Sequence, residues 1–259
     1  MMPNDDIGIV LSGGGIRGIA HIGVLRALSE RGIRPAHVAG ASAGAIVGAL
    51  YAAGYTHREM LDFFETKNPF RFFNMSITKP GLIDTEKVRA NFEEYFPADS
   101  FESLGPRLRV VATDLMCGDA VVFDSGPLIS PILASSSYPL MFSPVEIDGR
   151  LYADGGIVNN FPVGLLEGRC KFLLGVHAGE VREMKRGDFG NALAVAKRAL
   201  EVGIFRKSSE KYERCSVVIR PPNLSRFGVF ETKHNDEIEA IGYKAAVDRM
   251  PEILRALGR

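Results

Sequence analysis

Gly40-Ala41-Ser42-Ala43-Gly44 narrows the choice of folds more than any other stretch of the chain. It is a G-x-S-x-G with one serine among small residues. The short strand candidate His37-Val38-Ala39 precedes it and an Ala-rich segment, Ala43 to Ala53, follows. Ile46, Val47 and Leu50 give that segment the apolar content of a buried helix, and Gly54 is its stop. Strand, tight turn and helix in this order form a nucleophile elbow, which raises one hydroxyl above a sheet edge. Gly40 and Gly44 lack Cβ atoms, so strand and helix can pass close together and the serine can take a strained backbone. Alone, the pentapeptide is ambiguous, because small residues also occur wherever a helix packs tightly on a sheet.

The unit before it has the same form. Ile7-Gly8-Ile9-Val10-Leu11 is wholly apolar, as in a central strand covered on both faces. Ser12-Gly13-Gly14-Gly15-Ile16-Arg17-Gly18 follows, and from Ile19 the spacing of Ile22, Leu25 and Leu28 is helical as far as Gly32. The glycine cluster is therefore a strand-to-helix loop, where unpaired amides and the helix dipole favour negative charge. Two anions fit such a loop. Gly13, Gly15 and Gly18 match the G-x-G-x-x-G of dinucleotide-binding loops, but the second strand ends in a serine elbow where that fold needs an acidic residue for the ribose. The other anion is the oxyanion formed when a hydroxyl attacks an ester carbonyl, for which a loop of glycine N–H groups is a preorganised donor set. A βαβ arrangement brings both loops to one sheet edge. Arg17 is placed either to brace the loop through bonds to carbonyls or to meet a substrate phosphate.

Residues 55 to 83 are the most aromatic part, with Phe63, Phe64, Phe70, Phe72, Phe73 and Met75. They read either as a helix from about His57 to Thr66 followed by a loop, or as an apolar cap over the site. A helix from Asp84 to Phe96, capped by Asp84 or Thr85, ends before Pro97. Arg107 to Thr113 and Ala120 to Phe123 are strands. Ser135, Ser136 and Ser137, before Tyr138-Pro139, mark a helix end or loop and lack an elbow, so they rank below Ser42 as nucleophiles. Gly149 to Ala153 forms a hairpin arm that delivers Asp154-Gly155-Gly156, which by itself is a common turn former. Asn159 and Asn160 are suited to fixing that loop and Pro162 to starting a helix. Phe172 to Val176 and Val217 to Ile219 are further strands. Helices are expected from Asn191 to Tyr212 and from Asn235 to Leu257, the latter kinked or split at Pro251. This alternation predicts an α/β protein whose mainly parallel sheet lies between helices.

At 259 residues the chain suits one large α/β domain. Lys+Arg 31 against Asp+Glu 31 leaves no net charge, so no global field draws it to nucleic acid or an anionic bilayer. No apolar run approaches the roughly 20 residues that span a membrane, and Met1 to Asp6 is polar, unlike a signal peptide. Cys117, Cys170 and Cys215 form no C-x-x-C pair, which argues for a reducing, cytoplasmic compartment and against a metal cluster.

Taken together, the pieces resemble the patatin-like phospholipase family in its compact bacterial form. Its G-G-G-x-R-G is similar to Gly13 to Gly18, its G-x-S-x-G to Gly40 to Gly44 and its D-G-G to Asp154 to Gly156, in that order. Asn159-Asn160 with Pro162 resembles the family's continuation, and the helix around Gly242-Tyr243 is also similar. The resemblance runs from about Ile7 to Val176. Ala134 to Val145 resembles a further family block but departs from it at Ser137 and Ser143, where alanine and proline are more usual, touching the pocket wall.

The resemblance implies a three-layer α/β/α sandwich and one hydrolase domain over 1–259, with a motif-bearing core at about 7–176 and a completing portion at 177–259. It implies Ser42 as nucleophile, Asp154 as base and the amides of Gly13, Gly14 and Gly15 as oxyanion hole. Arg17, Gly18, Gly40, Gly44, Gly155 and Gly156 support them. The chemistry implied is acyl transfer from a lipid or other acyl-ester substrate through an acyl-enzyme, with no metal or organic cofactor and at most transient membrane contact. An aspartate with the ordinary pKa of about 3.9 is a feeble base, so burial should raise it. Two rivals stand beside this reading: a Ser-Asp-His triad completed by His177 or His234, and a non-catalytic module that binds lipid or acyl groups.

Overall fold

Five strands pair in parallel: β1 (Ile7–Leu11), β2 (His37–Ala41), β3 (Arg107–Asp114), β7 (Phe172–Val176) and β8 (Val217–Ile219), in the spatial order β3-β2-β1-β7-β8. Antiparallel strands complete the sheet around β3. β4 (Ala120–Phe123) and β6 (Arg150–Asp154) both pair with β3, and β5 (Val145–Ile147) pairs with β6. The computed structural model describes residues 2–67, 85–206, 208–229, 231 and 233–259. The aromatic cap expected around Phe70, Phe72, Phe73 and Met75, and the Asp84 cap, lie outside these residues.

Strand side chains alternate between faces, and both faces are covered. Ile7, Ile9, Leu11, Val38, Leu174 and Val176 join a large core with residues of α1 (Ala20–Ser29), α2 (Ala43–Ala52), α3 (His57–Thr66) and α8 (Asn235–Ala256). Val10, Ala39 and Leu173 instead pack on Phe161, Val163 and Leu166, a short irregular cover that follows α6 (Gly156–Asn159). The expected sandwich of sheet between helices is thus present, with one face covered far more thinly by regular helix. α4 (Thr85–Tyr95), α5 (Ile129–Ser135) and α7 (Ala192–Arg206) complete the helices among the described residues.

α1 and α8 cross where each carries a glycine. A Cβ on Gly23 would lie 2.0 Å from the Glu239 carbonyl oxygen, and one on Gly242 would lie 2.0 Å from that of Ala20. Two expectations are revised in this C-terminal part. Of the kink or split expected at Pro251, the split is absent: α8 runs unbroken through it. The ring sits on the exposed side, so the carbonyl four residues back, at exposed Val247, can be served by water. The helix expected to reach Tyr212 stops at Arg206 and resumes as a 3-10 turn from Ser209 to Arg214. There the Ser209 hydroxyl donates to the Arg206 carbonyl (3.1 Å), a local bond that competes with helix continuation. Among the described residues no helix is long and apolar enough to cross a membrane.

Candidate active site

Ser42 stands between the last residue of β2 and the first of α2 with φ 52° and ψ −125°. This is a costly conformation for a residue with a side chain, typically by 1–3 kcal/mol and sustained only when its surroundings over-determine it. They do so here. The Ser42 N–H donates to Ser135 Oγ (2.9 Å), and its carbonyl accepts from the amides of Ala45 (2.8 Å) and Ile46 (3.2 Å). A Cβ on Gly44 would meet the Leu11 carbonyl oxygen at 2.1 Å, so only glycine lets α2 start this close to β1.

Asp154 arrives by strand register. Ala41 pairs with Val111 of β3 in parallel, and Asp154 pairs with Ala112 in antiparallel. β4 takes the other edge of β3 over Val110–Thr113, so β2 and β6 share one edge and meet end to end. That meeting brings Ser42 Oγ to Asp154 Oδ2, to which it donates over 2.6 Å across 112 residues of sequence. The aspartate is fixed on every side. Its N–H donates to the Ser137 carbonyl (3.0 Å), its carbonyl accepts from Thr113 Oγ1 (2.8 Å), and Oδ1 accepts the Gly156 amide (2.7 Å). A Cβ on Gly155 would lie 2.0 Å from the Val111 carbonyl oxygen, which explains the first glycine of D-G-G.

Ser42 is 6% and Asp154 2% exposed. Burial raises the Asp154 carboxyl from 3.8 to about 6, against the opposing pull of hydrogen bonds from Ser42 and from the Gly156 amide. A carboxylate so tuned is ionised near neutrality and is a stronger proton acceptor than a solvated aspartate.

The glycine loop departs from expectation at its first residue. The Gly13 amide donates to the Asn160 carbonyl (3.2 Å) and is already engaged. The amides of Gly14 and Gly15 have no acceptor among the described residues, and both glycines line the small cavity that contains Ser42 and Asp154. Two of the three expected donors are therefore open to an oxyanion. Arg17 braces the loop: it is 3% exposed and donates to the carbonyls of Phe227 (2.9 Å) and Glu180 (3.0 Å). Gly18 touches α2, where a Cβ would come within 2.5 Å of the Ala43 Cβ, and one on Gly40 would lie 2.5 Å from the Gly44 carbonyl oxygen.

Several further residues hold the site, and of these the sequence marks only Asn159 and Asn160 for fixing the loop. Ser135 supplies the acceptor for the Ser42 amide. Ser12 accepts the Ala178 amide through Oγ (2.9 Å), and its carbonyl lies 2.8 Å from His21 Nε2, which must be the protonated ring nitrogen because its partner is a carbonyl. His21 is fully buried, and burial lowers its pKa to about 4. Asn160, buried beside Gly13 and Gly156, donates through Nδ2 to Ser208 Oγ (3.3 Å). Asn159 accepts from Lys211 Nζ (2.6 Å).

Neither histidine named for a triad hydrogen-bonds Asp154 among the described residues. His177 lies edge-on to Phe161 and Tyr212, and burial pushes its pKa down to about 3. His234 is at the surface between Glu231 (3.5 Å) and Glu237 (3.3 Å).

The cavity over Ser42 and Asp154 is also lined by Tyr138, Asn160, Ile204, Phe205 and Val229 and measures about 20 Å³, room for a water and not for an acyl chain. A much larger depression of about 540 Å³ lies between α1 and α3, beside Arg26, Tyr51, His57 and Met60, and includes neither Ser42 nor Asp154. The hydrogen-bonded pair, not the larger space, locates the candidate site.

Comparison with known proteins gives a match to the patatin-like phospholipase family over residues 9–166. An uncharacterised NTE family protein of Mycobacterium tuberculosis is 38% identical over 169 residues, which cover 62% of this chain and 46% of that protein. A patatin-like phospholipase domain-containing protein of Caenorhabditis elegans is 33% identical over 209 residues, covering 75% of this chain and 15% of the other. The chain thus spans less than half the length of these relatives. Among solved structures, VipD from Legionella pneumophila superposes with a TM-score of 0.61 over 97% of this chain and 68% of its own, at 15% identity, a likeness of fold.

Proposed function

The chain belongs to the patatin-like phospholipase family, and from that premise we propose that it is a serine hydrolase of lipid acyl esters, working through a Ser42–Asp154 dyad and an acyl-enzyme. The observation that carries the reading is the 2.6 Å hydrogen bond from the buried Ser42 hydroxyl to the buried Asp154 carboxylate, beside two glycine amides that have no acceptor among the described residues. As Ser42 Oγ forms its bond to the ester carbonyl carbon, Asp154 Oδ2 takes the hydroxyl proton and the carbonyl electron pair moves onto oxygen. The Gly14 and Gly15 amides, at the start of the helical segment, are the donors for that oxyanion. Collapse of the intermediate expels the alcohol, protonated by Asp154, and leaves an acyl group on Ser42. Water then attacks the acyl carbon, Asp154 takes its proton, and the proton returns to Ser42 as the fatty acid leaves.

The protein groups this route uses lie at the ends of β1, β2 and β6 or in the loops that follow them, and no histidine is required. We take residues 1–259 to act as one hydrolase unit. The test is hydrolysis of a panel of phospholipids, lysophospholipids and glycerides. Ser42→Ala and Asp154→Asn should each lower the rate by roughly a thousandfold or more, with unchanged circular dichroism. His177→Phe and His234→Ala should remain active. Activity surviving Asp154→Asn, or lost in a folded histidine variant, contradicts the dyad.

A further inference from the structure

A polar atom buried without a partner is costly, and native folds keep few of them without a use. Among the described residues several buried side-chain atoms have no partner, and of these only Asn160 Oδ1 belongs to a residue that lines the cavity over Ser42. Asn160 is 4% exposed and is held from behind. Its Nδ2 donates to Ser208 Oγ (3.3 Å), a buried hydroxyl outside the cavity wall, and its main-chain carbonyl accepts the Gly13 amide (3.2 Å). With the amide nitrogen committed to Ser208, the side-chain oxygen is the group left over.

That oxygen lies beside both members of the Ser42–Asp154 pair. A Cβ on Gly13 would stand 2.4 Å from Asn160 Oδ1 and 3.1 Å from Ser42 Cβ. One on Gly156 would stand 2.8 Å from Asn160 Oδ1 and 2.8 Å from Asp154 Oδ1. The amide oxygen and the carboxyl are thus close enough for one water to touch both. With Asp154 ionised both are acceptors, so neither can satisfy the other, whereas a molecule with two O–H groups satisfies them together. The cavity, at about 20 Å³, has room for one water.

We propose that Asn160 Oδ1 positions the water that releases the acyl group, a role that rests on the hydrolase reading. In the free enzyme the Ser42 hydroxyl donates to Asp154 Oδ2. Acylation removes that hydrogen and opens the carboxylate to a water. A water that gives one O–H to Asp154 and the other to Asn160 Oδ1 is fixed with a lone pair free for the acyl carbon. Its oxygen bonds to that carbon while Asp154 takes one proton. The bond from the carbon to Ser42 Oγ then breaks, the proton passes to Oγ, and the second hydrogen leaves on the carboxylic acid. No water reacts during acylation, so Asn160 Oδ1 serves the second half of the reaction alone.

The test separates the two halves with p-nitrophenyl butyrate, following p-nitrophenol release for acylation and butyryl-Ser42 by intact mass for deacylation. Asn160→Leu keeps the side-chain volume and the main-chain carbonyl. It should acylate within about threefold of the parent rate, deacylate at least about tenfold more slowly and accumulate butyryl-enzyme. Methanol has one O–H and no second hydrogen for Asn160, so at fixed methanol the ratio of methyl butyrate to butyric acid should rise at least about fivefold in the variant. Equal slowing of both halves, an unchanged product ratio, or slowing confined to acylation overturns the role; the last would make the side chain a donor to the oxyanion. Where circular dichroism shows that Asn160→Leu does not fold, Ser208→Ala decides, because it removes the tether from outside the cavity. Slower deacylation at the parent acylation rate supports the role, and a parent-like balance of the two halves overturns it. A parent protein that cleaves no ester and forms no acyl-enzyme removes the hydrolase reading and this role with it. A parent that turns over beside an Asn160→Leu protein that deacylates normally removes the role alone.

Discussion

Asp154 lies one rung beyond Ala41 on the same edge of β3, opposite Ala112 where Ala41 is opposite Val111. The hydrogen-bonded Ser42–Asp154 pair is therefore set by backbone pairing in a sheet and not by the packing of two independent loops. Its precision comes from the register itself, since a slip of one residue would turn the Asp154 side chain to the opposite face.

Rate should follow ionisation of the buried base. With the Asp154 carboxyl raised to about 6, only its ionised form can accept the Ser42 proton. kcat/KM for a soluble ester should rise about tenfold per pH unit below 6 and level off above it. A profile flat from pH 4.5 to 8 would remove Asp154 as the base.

The same burial sets activity against stability. The folded pKa of Asp154 lies above the unfolded value of 3.8, so its contribution to stability is full below about pH 3.8 and is lost as pH rises through about 6. At pH 8 the ion is a burden of about 1–3 kcal/mol. Asp154→Asn should accordingly melt several degrees higher than the parent at pH 8, with the gap closing near pH 4. A lower melting point at pH 8 would show that the carboxylate is favourably held.

His177 acts in the opposite sense. Its folded pKa of about 3 lies below the ordinary 6.5 because burial opposes the charged ring. Its contribution to stability is thus present above 6.5 and is lost as pH falls toward 3. Urea unfolding should show stability falling from pH 6.5 to 4, and His177→Phe, which keeps an aromatic ring against Phe161 and Tyr212, should make the fall shallower. An unchanged slope contradicts burial of a neutral imidazole.

Ser135→Ala removes the acceptor for the Ser42 amide. A buried N–H left without a partner costs about 1–3 kcal/mol, and the strained Ser42 backbone loses one of its restraints. The variant should unfold at lower urea concentration and turn over more slowly while Ser42 still reacts with a covalent probe. Unaltered stability would mean that the amide finds another acceptor.

The parallel core was legible because Ile7–Leu11 and Phe172–Val176 are apolar at every position, a pattern that suits strands covered on both faces. Ser42 was legible for the same local reason, a strand and an Ala-rich helix on either side of one serine. Asp154 was not legible from its own residues, since D-G-G also makes ordinary turns; the resemblance singled it out, and the geometry places it against Ser42. Gly13 looked equivalent to Gly14 and Gly15, but its amide is engaged by a carbonyl 147 residues away in sequence, Asn160. Ser135 bonds the Ser42 amide across 93 residues, and no spacing rule encodes such a pairing. The end of α7 and the passage of α8 through Pro251 turned on one hydroxyl and on which side faces water, details that periodicity does not carry.

Labelling with a fluorophosphonate, read by intact mass and peptide mapping, tests the dyad most directly. The account predicts one adduct, on Ser42, forming at least about a hundredfold more slowly in folded Asp154→Asn protein. An adduct on another residue, or equal rates with and without the Asp154 carboxylate, would contradict it.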